Sequence, residues 1–491
     1  MQLHAQNVPD GVVFLPEPPS SNSMMYVNDM IQYYWGKSVR DTERGQQAAK
    51  DIPIQISTYA NAFSEVIGLT ISEKNTPAIY NLFDIGLRIG EMAAEIPQNY
   101  YRRVRPYVRF DEASLIPTDE KKYANVGSYP SVTSMMGWLC ALMLAEVCPT
   151  QENQILTRGY DFGFSSVISG YNWNSDSYAG RLLASAIMSR FHNQSSFNAW
   201  ITDAQKEYKE KTTVNYTRAD NDSTSTDTDT EVIHPYIERE DLPDATIFLP
   251  GPPDSTSMQF GYDIIQHMDG KIKRNTSEGA LARDDVEYSV DNFCDIYSVY
   301  FGIKISKSNT PQIYELLQRV YPSGNAATQG AKSLYKRKRP YVQLIESTGY
   351  APDENHLRYT GSYPSGHASG SWLIALVLSE INPDAQNDML ARAFQYGQGR
   401  VITGYHWQSD VDDGRVLASA VYTSLHNSSE FMSQMLKAKE EFQKKTTDVR
   451  GIINDEDGKT PVYNLHGMKM NQKPVQQGIY IQGHKKVAIK Q

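Results

Sequence analysis

Lys332, Arg339-Pro340, Pro364-Ser365-Gly366-His367, Arg400, His406 and Asp410 bring three cations, two histidines and a carboxylate into one half of the chain. This inventory suits a phosphoryl group. Cations offset the charge on its oxygens, one imidazole can accept the phosphorus, and the other can move a proton. Three fixed cations also supply charge that Mg²⁺ otherwise brings to phosphoryl transfer, so the set requires no metal or other cofactor.

The spacing predicts how the chain would present these groups. Lys332 and Arg339 are seven residues apart, close to two helical turns, which predicts one helix face carrying both. Pro340 disfavours α geometry at the residue before it, so the helix is expected to end at Arg339. Between them, Lys336-Arg337-Lys338 has the composition of a solvated basic face. Pro364–His367 precedes the apolar run Trp372–Ile381. A helix starting there would offer free N–H groups to an anion, with Gly366 allowing close approach and Ser365 adding a hydroxyl. His367 would stand beside the anion as a general acid. Arg400 lies six residues before His406, and His406 four before Asp410. One helical turn would let the carboxylate reach the near ring nitrogen and leave the far one as nucleophile. Each block alone is equally a solvated face, a capped helix or a structural ion pair. Their ordered conjunction favours the chemistry.

The elements that carry these blocks occur twice. Phe14-Leu-Pro-Glu-Pro-Pro19 returns as Phe248-Leu-Pro-Gly-Pro-Pro253, Arg105-Pro106 as Arg339-Pro340, and Gly127-Ser-Tyr-Pro-Ser131 as Gly361-Ser-Tyr-Pro-Ser365. Gly170-Tyr-Asn-Trp-Asn-Ser-Asp176 answers Gly404-Tyr-His-Trp-Gln-Ser-Asp410, and Lys211-Thr-Thr213 answers Lys445-Thr-Thr447. Every pair is offset by 234 residues (248 − 14, 339 − 105, 445 − 211), so 14–213 aligns on 248–447 without net insertion. A period this long signals duplicated domains, not a solenoid. Under the same offset Lys332 becomes Gln98, Gly366 Val132, His367 Thr133, Arg400 Ser166 and His406 Asn172, while Arg105, Ser131 and Asp176 remain. The first repeat thus keeps the scaffold and loses nucleophile, proton donor and two of three cations.

Helical periodicity dominates both repeats. Thr310 is a candidate N-cap with Pro311 at the first helical position, and Ile313, Leu316, Leu317 and Val320 follow at i, i+3, i+4 and i+7. Leu373, Leu376, Val377 and Ile381 repeat the pattern, as do Leu417, Val421 and Leu425. The fold expected is all-α: two tandem helical-bundle domains. Between them Arg218–Glu231 is acidic and almost without apolar residues, a linker composition. At the C-terminus Gly478–Lys490 alternates around a glycine-containing turn and predicts a short β-hairpin.

Composition bounds the rest. At 491 residues the chain exceeds one ordinary core, which makes two domains the default. A net charge of −10 argues against a nucleic-acid partner, and no apolar run approaches a membrane span. Three cysteines make no disulfide framework, and Cys140 and Cys148, about 12 Å apart along one helical run, lie beyond bonding reach. The first residues, Met1-Gln-Leu-His-Ala-Gln-Asn, lack the charged and apolar regions of a signal peptide.

On these motifs the second repeat resembles the class A bacterial non-specific acid phosphatases of the type 2 phosphatidic acid phosphatase/vanadium haloperoxidase superfamily. That pattern is Lys, six residues, Arg-Pro; then Pro-Ser-Gly-His; then Ser-Arg, five residues, His, three residues, Asp. Lys332, Arg339-Pro340, Pro364–His367, Arg400, His406 and Asp410 match it, and the likeness covers 248–445. Gly399 departs from it, standing where the pattern has Ser. That loses a hydroxyl beside the site but no group the mechanism requires. The resemblance implies metal-independent hydrolysis of small-molecule phosphate monoesters, with broad specificity and no cofactor. It makes His406 the nucleophile of a phosphohistidine intermediate, Asp410 its orienting partner, and His367 first acid and then base. Lys332, Arg339, Ser365, Gly366 and Arg400 would hold the phosphate.

A vanadium-dependent haloperoxidase is the alternative, because vanadate mimics phosphate in trigonal-bipyramidal geometry. The wording around the motifs favours the phosphatases. A lipid phosphatase of the superfamily would need spanning helices, and a non-catalytic tandem module accounts for the first repeat but not the second. The organisation expected is a degenerate phosphatase-like domain at 1–213, a linker at 214–240, the catalytic domain at 241–447, and a tail at 448–491. The tail resembles sorting segments of Gram-negative secreted proteins, which with the family resemblance implies a periplasmic or secreted protein. The two repeats are expected to pair with each other, the first standing in for a homodimer subunit.

Overall fold

The structure is a computed structural model that describes residues 8–212, 234–452, 462–463, 478–482 and 485–489. Met1–Asn7 and the acidic run 218–231, for which a linker is expected, lie outside the described residues.

Helices dominate, and the main ones recur at the repeat offset. In the first half these are α1 (Pro77–Tyr101), α2 (Val132–Val147), α3 (Glu152–Ile168) and α4 (Asn174–His192). In the second they are α5 (Pro311–Ala326), α6 (Gln329–Tyr335), α7 (Gly366–Ile381), α8 (Gln386–Thr403), α9 (Gln408–Leu425) and α10 (Ser429–Ile452). Thr310 takes the N-cap position of α5 without a side-chain cap bond, Pro311 is at the first helical position, and Ile313, Leu316, Leu317 and Val320 are all buried, as the periodicity predicts. Helices α2 and α7 are apolar around most of their circumference. A helix with no polar face must sit in the interior, and both are buried along nearly their whole length.

One contiguous apolar cluster contains residues of both halves, including Trp138, Phe248 and Trp372. Trp138 Nε1 donates to Ser419 Oγ at 3.0 Å, and Trp372 Nε1 to Ser185 Oγ at 3.1 Å. These two bonds are the same contact in opposite directions, since 372 − 138 and 419 − 185 are both 234. A buried indole N–H needs an acceptor, and here the other repeat provides it. The rings of His192 and His426, again 234 apart, stack with centroids 3.6 Å apart.

In the tail, β2 (Gly478–Gln482) pairs antiparallel with β3 (Lys485–Ile489), and β1 (Val462–Tyr463) lies alongside β2. Residues 448–491 otherwise fall largely outside the described residues, including the turn at 483–484. Among the described residues no helix is long and apolar enough to cross a membrane. Cys140, Cys148 and Cys294 are buried free thiols.

Candidate active site

Lys332 and Arg339 do not share a helix face as the spacing predicts. Helix α6 ends at Tyr335, four residues early, and Lys336 closes it in the left-handed region at φ 44°. Arg339 is extended, consistent with the restriction Pro340 imposes, and it caps the short helix Pro340–Gln343. The turn delivers the guanidinium back into the interior. Its Nη1 reaches the Tyr405 carbonyl at 3.0 Å and His406 Nε2 at 3.1 Å, while Nη2 reaches Thr360 Oγ1 at 3.0 Å. Lys332 Nζ donates to Thr328 Oγ1 at 2.8 Å. Burial, then repulsion from Arg339, holds the Lys332 ammonium down at about 7.

Ser365 is the N-cap of α7, its hydroxyl accepting from Ala368 N. Gly366 follows in a crowded position, where a Cβ would stand 2.3 Å from Asn325 Oδ1 and 3.4 Å from Lys332 Nζ. A side chain here would have to push aside the Asn325 amide and crowd the Lys332 ammonium, whereas glycine leaves both in place. His367 Nε2 lies 3.0 Å from the Val286 carbonyl. A carbonyl only accepts, so Nε2 carries the hydrogen there and Nδ1 is left to exchange a proton with a ligand. Burial is the main force lowering the His367 pKa well below its ordinary value, with Arg400, His406 and Lys332 adding to it. These groups, predicted from separate blocks, therefore form one electrostatic cluster.

Arg400 projects from the last turn of α8, which ends at Gly404 in the left-handed conformation at φ 83°. The guanidinium lies 4.8 Å over the Tyr405 ring. It is buried, yet Nε, Nη1 and Nη2 all lack a hydrogen-bond partner. A buried cation without hydrogen-bond acceptors is costly, and this one acts directly on His367.

His406 sits in the turn before α9, not on the helix with Asp410. Asp410 Oδ2 lies 3.4 Å from His406 Nδ1, but the carboxylate is bonded elsewhere: Oδ2 accepts from Trp407 N at 2.8 Å, and Oδ1 from Arg337 Nη1 at 2.6 Å. The expected aspartate-to-imidazole hydrogen bond is therefore replaced by a helix cap and a charge beside the ring. The tautomer is set from the other side. Arginine can only donate, so Arg339 Nη1 requires a lone pair on His406 Nε2. Burial, with Arg339, Arg400 and Lys332, depresses the His406 pKa and keeps the ring neutral.

The PAP2 superfamily model matches residues 320–431, which contain every one of these groups. The non-specific acid phosphatase of Providencia stuartii is 40% identical over 210 residues, spanning 43% of this chain and 85% of the relative. That of Salmonella typhimurium is 36% identical over 231 residues, 47% of this chain and 91% of the relative. The chain belongs to the bacterial non-specific acid phosphatase family of the PAP2 superfamily. An acid phosphatase of Zymomonas mobilis is 29% identical over 204 residues.

Sequence reasoning missed Arg337 and Asp263, which hold Asp410 in place beside the imidazole of this family member. Arg337, assigned to a solvated face, is buried and joins Asp410 at 2.6 Å to Asp263 at 2.5 Å, while Ser409 Oγ accepts from it at 2.8 Å. The signal was available in the repeat. Arg103, Asp29, Asp176 and Ser175 stand 234 residues earlier and form the same lattice, with Arg103 2.5 Å from both carboxylates. Persistence beside Asn172, where no histidine remains, marks the lattice as scaffold.

The corresponding region of the first repeat satisfies itself. Arg105 donates to the carbonyls of Tyr123, Val126, Tyr171 and Gly127. Gln98 reaches Pro130 O, Asn172 bonds Ser128 O and Ser131 Oγ, and Ser166 Oγ pairs with Ser177 Oγ. No group at these positions is left seeking an anion, in contrast to Arg400.

Proposed function

We propose that the second repeat hydrolyses phosphate monoesters in two steps through a phosphohistidine on His406. The observation that carries this reading is the unpartnered guanidinium of Arg400. A phosphate entering beside it supplies the missing acceptors and is simultaneously within the field of Lys332 and Arg339. The charge that develops on the equatorial oxygens in transfer would fall against these three cations and the Ser365–Gly366 donors.

In the first step the Nε2 lone pair of His406 forms the P–N bond as the P–O ester bond breaks, and the leaving oxygen takes a proton from His367 Nδ1. Asp410, next to Nδ1 of the nucleophile, offsets the positive charge its ring acquires. In the second step His367 Nδ1 takes a proton from water, the water oxygen bonds phosphorus, and the P–N bond breaks to release inorganic phosphate. His367 is unfavourable to protonate while buried beside Arg400 and Lys332, and a bound phosphate reverses that balance. Substrate binding and loading of the acid are thus coupled.

Two results test the reading. Hydrolysis of p-nitrophenyl phosphate should proceed without added metal and survive EDTA; strict dependence on a divalent ion would refute the assignment. The second concerns pH. A lysine whose pKa is depressed to about 7 loses its charge as pH rises through 7, and the charged form is the one that holds phosphate. The alkaline limb of kcat/KM, which reports the free enzyme, is therefore expected near pH 7. Lys332→Met should lower kcat/KM below that pH and remove the limb; an unchanged limb would exclude Lys332 as its source.

The first repeat is proposed to serve as a built-in partner subunit. Its Gln98, Arg105, Ser166 and Asn172 are bonded within the repeat, and the reciprocal Trp–Ser bonds are what a symmetric dimer contact would leave after fusion.

A further inference from the structure

The two repeats differ at paired positions that meet where they touch. Tyr160 of the first repeat corresponds to Phe394 of the second, and Asp413 of the second to Ala179 of the first (394 − 160 and 413 − 179 are both 234). Tyr160 Oη donates to Asp413 Oδ1 at 3.1 Å, crossing from the repeat without the chemistry into helix α9. The opposite crossing cannot form, because Phe394 has no hydroxyl and Ala179 no carboxylate. The arginine packed on each ring is matched. Arg181 lies 3.7 Å over the Tyr160 ring and donates to its carbonyl at 2.9 Å; Arg415 lies 4.0 Å over Phe394 and donates to its carbonyl at 2.7 Å.

The second oxygen of Asp413 leads to the phosphate loop. Tyr363 Oη donates to Asp413 Oδ2 at 2.7 Å, two residues before Ser365. Its counterpart Tyr129 bonds the Pro16 carbonyl of its own repeat instead. Helix α9 also touches the loop directly. Ser365 N donates to the Asp410 carbonyl at 2.8 Å, and a Cβ on Gly414 would stand 2.7 Å from the Ser365 carbonyl. Asp413 lies one turn past Asp410, so it closes a second tie between α9, the helix that follows His406, and the loop.

We propose that Tyr160 is a positioning residue for the active site of the other repeat, acting through Asp413 and Tyr363 on the Ser365–Gly366 loop. This rests on the phosphatase reading and adds to it what the degenerate repeat contributes. A carboxylate held by two hydroxyls from different directions has one orientation, and the loop then inherits that orientation. With one hydroxyl removed, the buried carboxylate is under-bonded and the loop donors drift from the geometry that transfer requires. Asp413 also gives the device a titration signature. Burial pushes its carboxyl up to about 6, against hydrogen bonds from Tyr363 and Tyr160 and the charge of Arg181, while Asp410 raises it further; Asp412 is its neighbour on the helix. Loss of the Tyr160 donor raises it again, so the ionised tie fails at a higher pH.

The test is steady-state hydrolysis of p-nitrophenyl phosphate across the acid to neutral range by the full chain carrying Tyr160→Phe, Asp413→Ala, both, or Asp413→Asn. Tyr160→Phe is expected to lower kcat about three- to tenfold and move the acid limb to higher pH. The double variant should be no slower than Asp413→Ala. Asp413→Asn, which cannot titrate, should remove the limb near pH 6 even if Tyr160→Phe folds poorly. Wild-type kcat with an unmoved profile in Tyr160→Phe overturns the positioning role and leaves the phosphatase reading standing. So does a profile scaled in step with lost thermal stability but not shifted. A wild-type chain inert to phosphomonoesters overturns both.

Discussion

His406→Asn is expected to abolish phosphomonoester hydrolysis, by on the order of 10⁴-fold or more in kcat, while the protein keeps its fold. The first repeat has already run the structural half of this experiment. Asn172 occupies the equivalent position, donates to Ser128 O at 2.7 Å and accepts from Ser131 Oγ at 3.1 Å, within a helix-and-turn frame matching that of His406. An asparagine at 406 has Ser362 and Ser365 available in the same places. It offers no nucleophilic lone pair, so the covalent step has nowhere to start. Rapid acid-labile labelling of the wild type by radiolabelled substrate, absent from the variant, would locate the intermediate. A variant keeping more than about a hundredth of wild-type kcat at an unchanged melting temperature would show that His406 is not the nucleophile.

Arg400→Met carries a less usual expectation, a gain in stability with a loss of function. The wild-type guanidinium is enclosed with no hydrogen-bond acceptor on any of its three nitrogens, and burial lowers its pKa. Replacing it with an apolar chain of similar length removes that cost, a gain of about 1–3 kcal/mol. The same change takes away the cation with most unused donors, and kcat/KM should fall about 10²–10³-fold, the usual cost of one oxyanion donor. Saturating inorganic phosphate should stabilise the wild type more than the variant, because ligand binding to the native state is added stability. The two quantities are measured independently by thermal melts, with and without phosphate, and by steady-state rates. A variant melting below the wild type in phosphate-free buffer would mean that Arg400 is structural. Stability sacrificed at one residue is what a site built to meet a charged ligand predicts.

Much was legible from the residues in order. Helical periodicity, the Thr310-Pro311 helix start, the buried faces of α5 and α7, the repeat offset and the eight candidate site positions are all local or self-similar signals. Helix starts, apolar faces and turns depend on neighbours within a few residues, so a linear string records them. The chemical inventory was equally direct, since a histidine or arginine lost between two copies is visible without coordinates.

The tertiary structure decided which partner each buried polar group takes. Arg337 looked like one member of a basic run and became the bridge between Asp263 and Asp410. Asp410 looked like the imidazole's hydrogen-bond partner and became a helix cap with its charge beside the ring. Lys332 and Arg339 looked like one helix face and were brought together by a turn. Tyr160 gave no sign of facing Asp413, 253 positions away. Each of these outcomes is a competition among donors and acceptors distant in sequence. It is settled only when packing removes water and leaves each group the partners within about 3 Å.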